Sequence, residues 1–191
     1  MLDLIIKNGS CYINKDLKDQ DIAIKDGKII EIGKIETEAK EIFNAKGLTV
    51  LPGCIDTQTH FREPGSTDTE DLHTGSRAAI VGGITSVFEM PNTNPPTSNK
   101  KEFQKKLNLA KNRMYCNYAF YFGATPDNAV ELADLKNLEG CCGIKLFAGS
   151  STGSLLVQHE EDIENVFKNS SKVVSVHSED EEILNMNKKL I

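Results

Sequence analysis

Four side chains that could do chemistry together lie far apart in the sequence. His60 and Arg62 are two residues apart, Lys145 lies in the largely apolar run 143–147, and His177 follows the run 173–176. Imidazole is a common metal ligand, and a guanidinium group binds carboxylates through two parallel hydrogen bonds. The combination indicates a metal site beside a pocket for a small anion.

Taken alone, His60 and His177 could each be a hydrogen-bonded histidine of the core. Both, however, end predicted strands and follow apolar residues that would hold a ligand rigidly. We therefore interpret the two as ligands of one divalent metal centre. His73 and His159 fall outside this pattern, and we expect them at the surface.

Lys145 stands in Gly-Ile-Lys-Leu-Phe, a sequence typical of an interior strand, where an ammonium group without a partner is costly. One interpretation is a lysine that extends from the strand end to a carboxylate. The other is that carbon dioxide has added to the amine. The product, a carbamate, could bridge two metal ions, whereas the cation would repel them. The residues alone leave both interpretations open.

Arg62 offers a planar donor fork for a carboxylate, and Asn94 lies in a proline-rich loop from which it could bind the same group. The alternatives are a salt bridge between Arg62 and Glu63 and an Asn94 side chain that caps its own turn. The segment 149–154 lacks the Gly-Lys-Ser/Thr ending of a phosphate-binding loop, so we expect a mobile loop beside the site.

The elements that must position these residues fall into two parts. Residues 1–51 contain short apolar runs separated by turns, and Asp26-Gly27 between two of them predicts a β-hairpin, so this part is a small β domain. From residue 52 to 191 strands and helices alternate, which predicts an α/β architecture with a parallel sheet. The predicted strands cover residues 54–61, 85–90, 117–121, 143–147 and 173–177, and the predicted helices cover 71–81, 99–113, 127–135 and 160–168.

In such a sheet the loops after the strands open onto one face, so residues at several strand ends converge there. Strand alternation would also place Gln58, His60 and Arg62 on one face of the first of these strands. A final helix is predicted from Ser178-x-x-Glu181, which matches a capping box.

Composition excludes several partners. The 191 residues are 39% hydrophobic and carry a net charge of −6, which argues against nucleic acid and against anionic membrane surfaces. The chain shows no signal sequence and no apolar run long enough to span a bilayer, so we expect a cytoplasmic protein. Lys105 and Lys106 stand among acidic and apolar residues, which is typical of a solvated helix face.

At these residues the chain resembles the N-terminal portion of the dihydroorotases, a branch of the cyclic amidohydrolases in the amidohydrolase superfamily. The motifs that carry the resemblance are His-Phe-Arg-Glu-Pro-Gly (60–65), Met-Pro-Asn-Thr-Asn-Pro (90–95), Gly-Ile-Lys-Leu-Phe (143–147) and His-Ser-Glu-Asp (177–180). The resemblance implies a metal-dependent (β/α)8 barrel, here truncated after about five strands, with a small N-terminal β-sandwich part.

The resemblance also implies roles. His60, His177 and a carboxylated Lys145 would bind one or two zinc ions, while Arg62 and Asn94 would hold the substrate carboxylate. The implied reaction is the reversible cyclisation of N-carbamoyl-L-aspartate to dihydroorotate in pyrimidine biosynthesis, by a metal-activated hydroxide in the hydrolytic direction.

Two departures from the family pattern matter. Gln58 stands where the family has the first histidine of His-x-His, and the family's catalytic aspartate lies beyond Ile191, so no catalytic residue is assigned in this chain and we expect it to be inactive alone. The alternatives are an inactive dihydroorotase-like subunit that scaffolds aspartate transcarbamoylase, and another cyclic amidohydrolase such as an allantoinase or dihydropyrimidinase. A homo-oligomer is also compatible with the sequence.

Overall fold

Two β-sheets organise the chain. The computed structural model describes residues 1–151 and 153–190, and the chain divides into two compact units, Met1–Gly53 and Cys54–Ile191. Each unit has its own sheet and its own buried cluster.

The first unit is a mixed five-stranded sheet. Its strands are β1 (Leu2–Ile13), β2 (Asp16–Lys25), β3 (Lys28–Gly33), β4 (Ala39–Asn44) and β5 (Thr49–Val50). The order is β3-β2-β1-β4, with β5 also paired to β1; β1 is antiparallel to β2 and parallel to β4 and β5. The predicted hairpin between β2 and β3 is confirmed, because both Asp26 and Gly27 have positive φ, as its tight turn requires.

The second unit is a half-barrel of five parallel strands. They are β6 (Cys54–Thr59), β7 (Ile84–Glu89), β8 (Asn117–Gly123), β9 (Cys141–Phe147) and β10 (Val174–His177), hydrogen-bonded in sequence order. The α-helices are α1 (Leu72–Val81), α2 (Lys100–Ala110), α3 (Glu160–Asn169) and α4 (Glu181–Asn187). The predicted alternation of strands and helices is therefore confirmed. Among the described residues no helix has the length and apolar character needed to cross a membrane.

The core of this unit lies between the sheet and its helices. Phe120 and Phe122 of β8 and Ile144 and Leu146 of β9 are fully buried in one cluster, and the Phe103 ring of α2 packs 6.4 and 6.1 Å from the two phenylalanine rings. Since side chains alternate along a strand, the intervening residues of β9 must face the other side of the sheet, which is the interior of the half-barrel. This alternation decides where Lys145 points.

Residues 126–137 form a 3₁₀ helix where an α-helix is predicted over 127–135. The side chains of Ala129, Leu132 and Leu135 are buried and recur every third residue. A 3₁₀ helix has three residues per turn, so this spacing places all three on one edge, whereas an α-helix would rotate them apart.

Strand β6 is shorter than predicted, and this changes the expected face of Arg62. The strand ends at Thr59, and Arg62 adopts a left-handed φ of 62°. Alternation therefore extends neither to His60 nor to Arg62, and the prediction that Gln58, His60 and Arg62 share one strand face is wrong. A residue beyond the strand end follows the turn rather than the pleat.

The predicted capping box at Ser178 is also wrong. Helix α4 begins at Glu181, and the carboxylate of Asp180 accepts the backbone N–H of Ile183 at 3.0 Å. Asp180 is therefore the N-cap, because it is the acceptor adjacent to the first helical residue.

Candidate metal and substrate site

Lys145 is buried, and among the described residues it has no ionic partner. Its residue is 2% exposed, it alternates with the helix-facing Ile144 and Leu146, and its Nζ lies 5.0 Å from the centroid of the Phe147 ring. Burial lowers the pKa of Lys145, and in the described part of the chain no carboxylate forms a salt bridge with it. The interpretation that this lysine reaches a carboxylate at the strand end is therefore not what the structure shows.

His177 lies beside the same aromatic ring. It ends β10 and pairs in register with Phe147, and the two rings stack with centroids 6.1 Å apart. The His177 Nε2 atom contacts the carboxylate of Glu179, and the side chain is 38% exposed. The structure thus places Lys145 and His177 around Phe147, and a metal at His177 Nε2 would have to take the place of Glu179.

His60 is held by a residue that the sequence did not single out. Its Nδ1 lies 3.0 Å from Oδ1 of Asn92. Because an amide oxygen only accepts, Nδ1 carries the hydrogen and Nε2 keeps a free lone pair. Burial lowers the pKa of His60, and the charges of Arg62 and Lys145 act in the same direction. The imidazole is thus favoured in the neutral form that binds metals.

Asn92 was missed because its type is common in turns and only its position is unusual. It is the third residue after the end of β7, behind Met90 and Pro91, in the same proline-rich loop that suggested Asn94. Its place at a strand end was the available signal.

Arg62 is free to meet a ligand. Its side chain lines an open cleft of about 480 Å³, together with Asn92 and the serines 150, 151 and 154. The segment 149–154 thus borders the cleft as expected, although Thr152 lies outside the described residues.

The alternative considered for Arg62, a salt bridge with Glu63, does not form. The carboxylate of Glu63 instead accepts two hydrogen bonds from Arg113, at 2.8 and 3.2 Å, and a third from the backbone N–H of Leu72 at 2.9 Å. The turn at these residues leaves the Arg62 side chain exposed and buries that of Glu63, so the two do not pair.

Asn94 lies next to the Arg62 loop but is exposed. Its backbone N–H donates to the carbonyl of Pro64 at 2.9 Å, and a Cβ at Gly65 would lie 2.9 Å from the Asn94 Cβ. Gly65 also has φ of 123°, so only glycine suits this close approach. The structure brings the two loops together, while the cleft is lined by Asn92 rather than by Asn94.

The donor set decides whether a metal fits. Among residues 1–151 and 153–190 no three His, Cys, Asp or Glu side chains cluster as ligands, and Gln58 is exposed. His60 and His177 supply imidazole nitrogens, and Lys145 becomes an oxygen donor only as a carbamate. Imidazole with carboxylate-type oxygen is a zinc ligand set, so these residues fit a divalent metal if Lys145 is carboxylated.

A second buried lysine corrects a prediction from sequence. Lys106 of α2, expected on a solvated face, is 0% exposed, and its ammonium group contacts the carboxylate of Glu89, which is 1% exposed. The neighbouring Lys105 is the solvated residue, with 55% of its side chain exposed. Consecutive side chains on an α-helix point about 100° apart, and for this reason Lys106 is buried while Lys105 is exposed.

Comparisons with known proteins place the chain in a family. The sequence profile of the amidohydrolase family (Amidohydro_1) matches residues 49–183. A dihydroorotase of Methanosarcina mazei is 38% identical over 96% of this chain, and an allantoinase of Escherichia coli is 40% identical over 78%. These matches cover 41% and 33% of the relatives, so the chain spans about two fifths of the first and one third of the second.

Solved structures agree in fold. An L-hydantoinase (dihydropyrimidinase) from Arthrobacter aurescens superposes with a TM-score of 0.91 at 29% identity, covering 100% of this chain and 44% of that chain. A D-hydantoinase superposes with a TM-score of 0.81 at 28% identity, covering 100% of this chain and 43% of that one. These likenesses confirm the barrel expected from the sequence. With its five parallel strands and the match over 49–183, the chain belongs to the amidohydrolase family.

Proposed function

We propose that the protein is a metal-dependent dihydroorotase, which closes N-carbamoyl-L-aspartate to dihydroorotate and reopens the ring. The observation that carries the proposal is Lys145, a 2%-exposed lysine that faces the half-barrel interior and has no carboxylate partner within residues 1–151 and 153–190. An unpaired buried ammonium is costly, so the position favours a different chemical form of this side chain.

That form is a carbamate. The neutral Lys145 amine donates its electron pair to the carbon of CO2, so a new N–C bond forms while one C=O π bond breaks and its electron pair moves onto oxygen. One N–H bond then breaks and its proton leaves to solvent. The product would have two oxygens and one negative charge, and together with His177 and His60 it would hold a divalent cation. A bound divalent metal would polarise the scissile carbonyl and lower the pKa of water, which is the chemistry that amide hydrolysis needs.

The rest of the site recognises the substrate. Arg62 and Asn92 line the cleft, where the Arg62 guanidinium would bind the ring carboxylate. We keep Asn94, which lies in the adjoining loop and does not line the cleft, as a second candidate for this carboxylate. The identities of 38% to a dihydroorotase and 40% to an allantoinase do not separate the two substrates. We choose dihydroorotate because Arg62 supplies a cation that a neutral hydantoin ring would not need.

A second candidate is an inactive dihydroorotase-like subunit that scaffolds aspartate transcarbamoylase. Gln58 favours it, since this position would supply a ligand if it were histidine and a neutral amide binds zinc weakly. Under this hypothesis Lys145 stays an amine and no metal is held.

Zinc content and turnover of the full-length protein test the proposal. We expect stoichiometric zinc, a carbamate signal from Lys145 in ¹³C NMR after equilibration with ¹³CO2, and conversion of carbamoyl-aspartate. Lys145→Ala should abolish all three, whereas the matched change Lys101→Ala, at an exposed position of α2, should not.

The remaining outcomes reject the proposal in distinct ways. A metal-free protein that co-purifies with aspartate transcarbamoylase favours the scaffold. A zinc enzyme that turns over allantoin or hydantoins but not dihydroorotate changes the substrate. To test substrate recognition, Arg62→Gln should weaken orotate binding about 10–100-fold while Arg77→Gln on the exposed face of α1 leaves it unchanged.

A further inference from the structure

We propose that the buried pair Glu89–Lys106 is a positioning device, which fixes the ends of β6 and β7 and thereby sets His60 and Asn92 for metal binding. The role in metal binding rests on the proposed function, whereas the contacts of the pair are observed in the structure. Neither residue touches the cleft, and both lie on the helix side of the sheet.

The pair is built into the core. Glu89 ends β7, and Lys106 comes from the middle of α2; they are 1% and 0% exposed. The Lys106 ammonium also lies 5.2 Å from the centroid of the buried Phe120 ring. Two charges removed from water at this depth gain little net stability over a well-packed apolar pair. An ion pair of this kind constrains the positions of its two side chains, because hydrogen bonds are directional whereas apolar contacts are not.

The hydrogen bonds of this region fix the backbone at Met90. Lys106 Nζ donates to the carbonyl oxygen of Met90 at 3.0 Å, and the Met90 N–H donates to the carbonyl oxygen of Thr59 at 3.0 Å. Met90 is itself 0% exposed. The peptide groups on both sides of Met90 are therefore held, one by α2 and the other by the last residue of β6.

The held residues lead directly into the site. Thr59 precedes His60, and Met90 is followed by Pro91 and Asn92, whose side chain bonds to His60 Nδ1. Thr59 Oγ1 also donates to the carbonyl of Phe88 at 3.3 Å, so the two strand ends are joined twice. A shift of Met90 would move Asn92 relative to His60 and loosen the contact that fixes the tautomer of the imidazole.

The test removes the donor to Met90 without leaving a buried charge. In Glu89→Gln/Lys106→Met both partners are neutral, and replacing a buried ion pair by neutral residues is usually tolerated. A second double variant, Glu89→Leu/Lys106→Met, removes the remaining polar group. The matched control is Lys105→Met, one residue away on the exposed face of α2.

Two readouts are independent of turnover. The first is the tautomer of His60 in the metal-free protein, read from ¹⁵N shifts of the ring nitrogens and assigned with His60→Gln. The second is zinc affinity by competition with a chelating dye. We expect both double variants to stay folded, to lose the fixed Nδ1–H tautomer, and to bind zinc about 10–100-fold more weakly, while Lys105→Met behaves as wild type.

Each other result overturns the proposal. An unchanged His60 tautomer in a folded double variant shows that the pair only stabilises the core, whatever the measured zinc affinity. Loss of the folded state in both double variants shows the same, because a positioning pair should be replaceable without unfolding. If the wild-type protein binds no zinc, the proposed function fails, while the tautomer still reports on the pair.

Discussion

The Nδ1 atom of His60 lies 3.0 Å from the amide oxygen of Asn92, and this contact joins the end of β6 to the loop after β7. It determines which ring nitrogen of His60 can bind a metal. An orienting partner of this kind acts on ligand affinity through geometry and basicity rather than through direct coordination.

Asn92→Ala should therefore weaken zinc binding about 10–100-fold without unfolding the chain. Asn92→Asp should retain the affinity, because a carboxylate accepts the same hydrogen bond. Titration against a chelating dye gives the affinity, and Asn108→Ala at an exposed position of α2 is the control. Equal zinc affinity in Asn92→Ala and wild type would contradict the assignment of Asn92 as the orienting residue.

Lys145→Met should stabilise the metal-free chain while it removes metal binding. The variant replaces a buried, unpartnered amine with an apolar side chain of similar length, so the free energy of unfolding should rise by about 1–3 kcal/mol. Urea denaturation in the presence of a chelator measures this change, with Lys101→Met as the exposed control. A less stable variant would mean that Lys145 has a partner in the folded state that the structure does not show.

Glu89 should make stability depend on pH. Burial raises the pKa of Glu89 to about 7, and Lys106 opposes the rise without cancelling it. Since the folded pKa lies above the unfolded value of 4.5, the contribution of Glu89 is fully present below about pH 4.5 and is lost as the pH rises to about 7.

The free energy of unfolding of wild type, relative to Glu89→Gln/Lys106→Met, should therefore fall by on the order of 1–3 kcal/mol between pH 4.5 and 7. Urea titrations at a series of pH values measure the difference. Parallel curves for the two proteins across this range would show that Glu89 stays ionised throughout.

Arg113→Met should destabilise the second unit by about 1–2 kcal/mol, because it removes two hydrogen bonds from the buried carboxylate of Glu63. The matched control is Lys168→Met, which breaks the exposed pair with Glu164 and should change stability by no more than about 0.5 kcal/mol. Chemical denaturation of both variants makes the comparison. If the two substitutions cost the same, burial of Glu63 contributes nothing.

The sequence was sufficient for the order of the strands and helices in the second unit, because apolar runs separated by turns mark the successive elements. It failed where a three-dimensional neighbour decides. Lys105 and Lys106 look alike in sequence, yet only the angular position on α2 places Lys106 over Glu89. The turn at Arg62 likewise depends on a left-handed φ that strand periodicity does not indicate.

The sequence singled out the candidate reactive residues of the site and did not single out the residues that support them. Histidine, lysine and arginine at strand ends are unusual enough to be noticed. Asn92 and Glu89 are ordinary residue types, and what distinguishes them is a 3.0 Å contact in one case and near-complete burial in the other. Contacts between distant segments are not encoded in local patterns.

His60 follows the first strand of the half-barrel and His177 ends the fifth, so the two imidazoles belong to opposite borders of the same sheet. On a flat sheet, four strand spacings of about 4.8 Å would separate them by about 19 Å, far beyond a shared cation. Joint coordination therefore demands curvature, and the ion would act as a tether across the concave side. The affinity of the protein for the metal would then depend on the curvature of the sheet. Removal of the metal by a chelator would raise the hydrogen-exchange rates of the backbone amides in the outermost strands before those in the central strand.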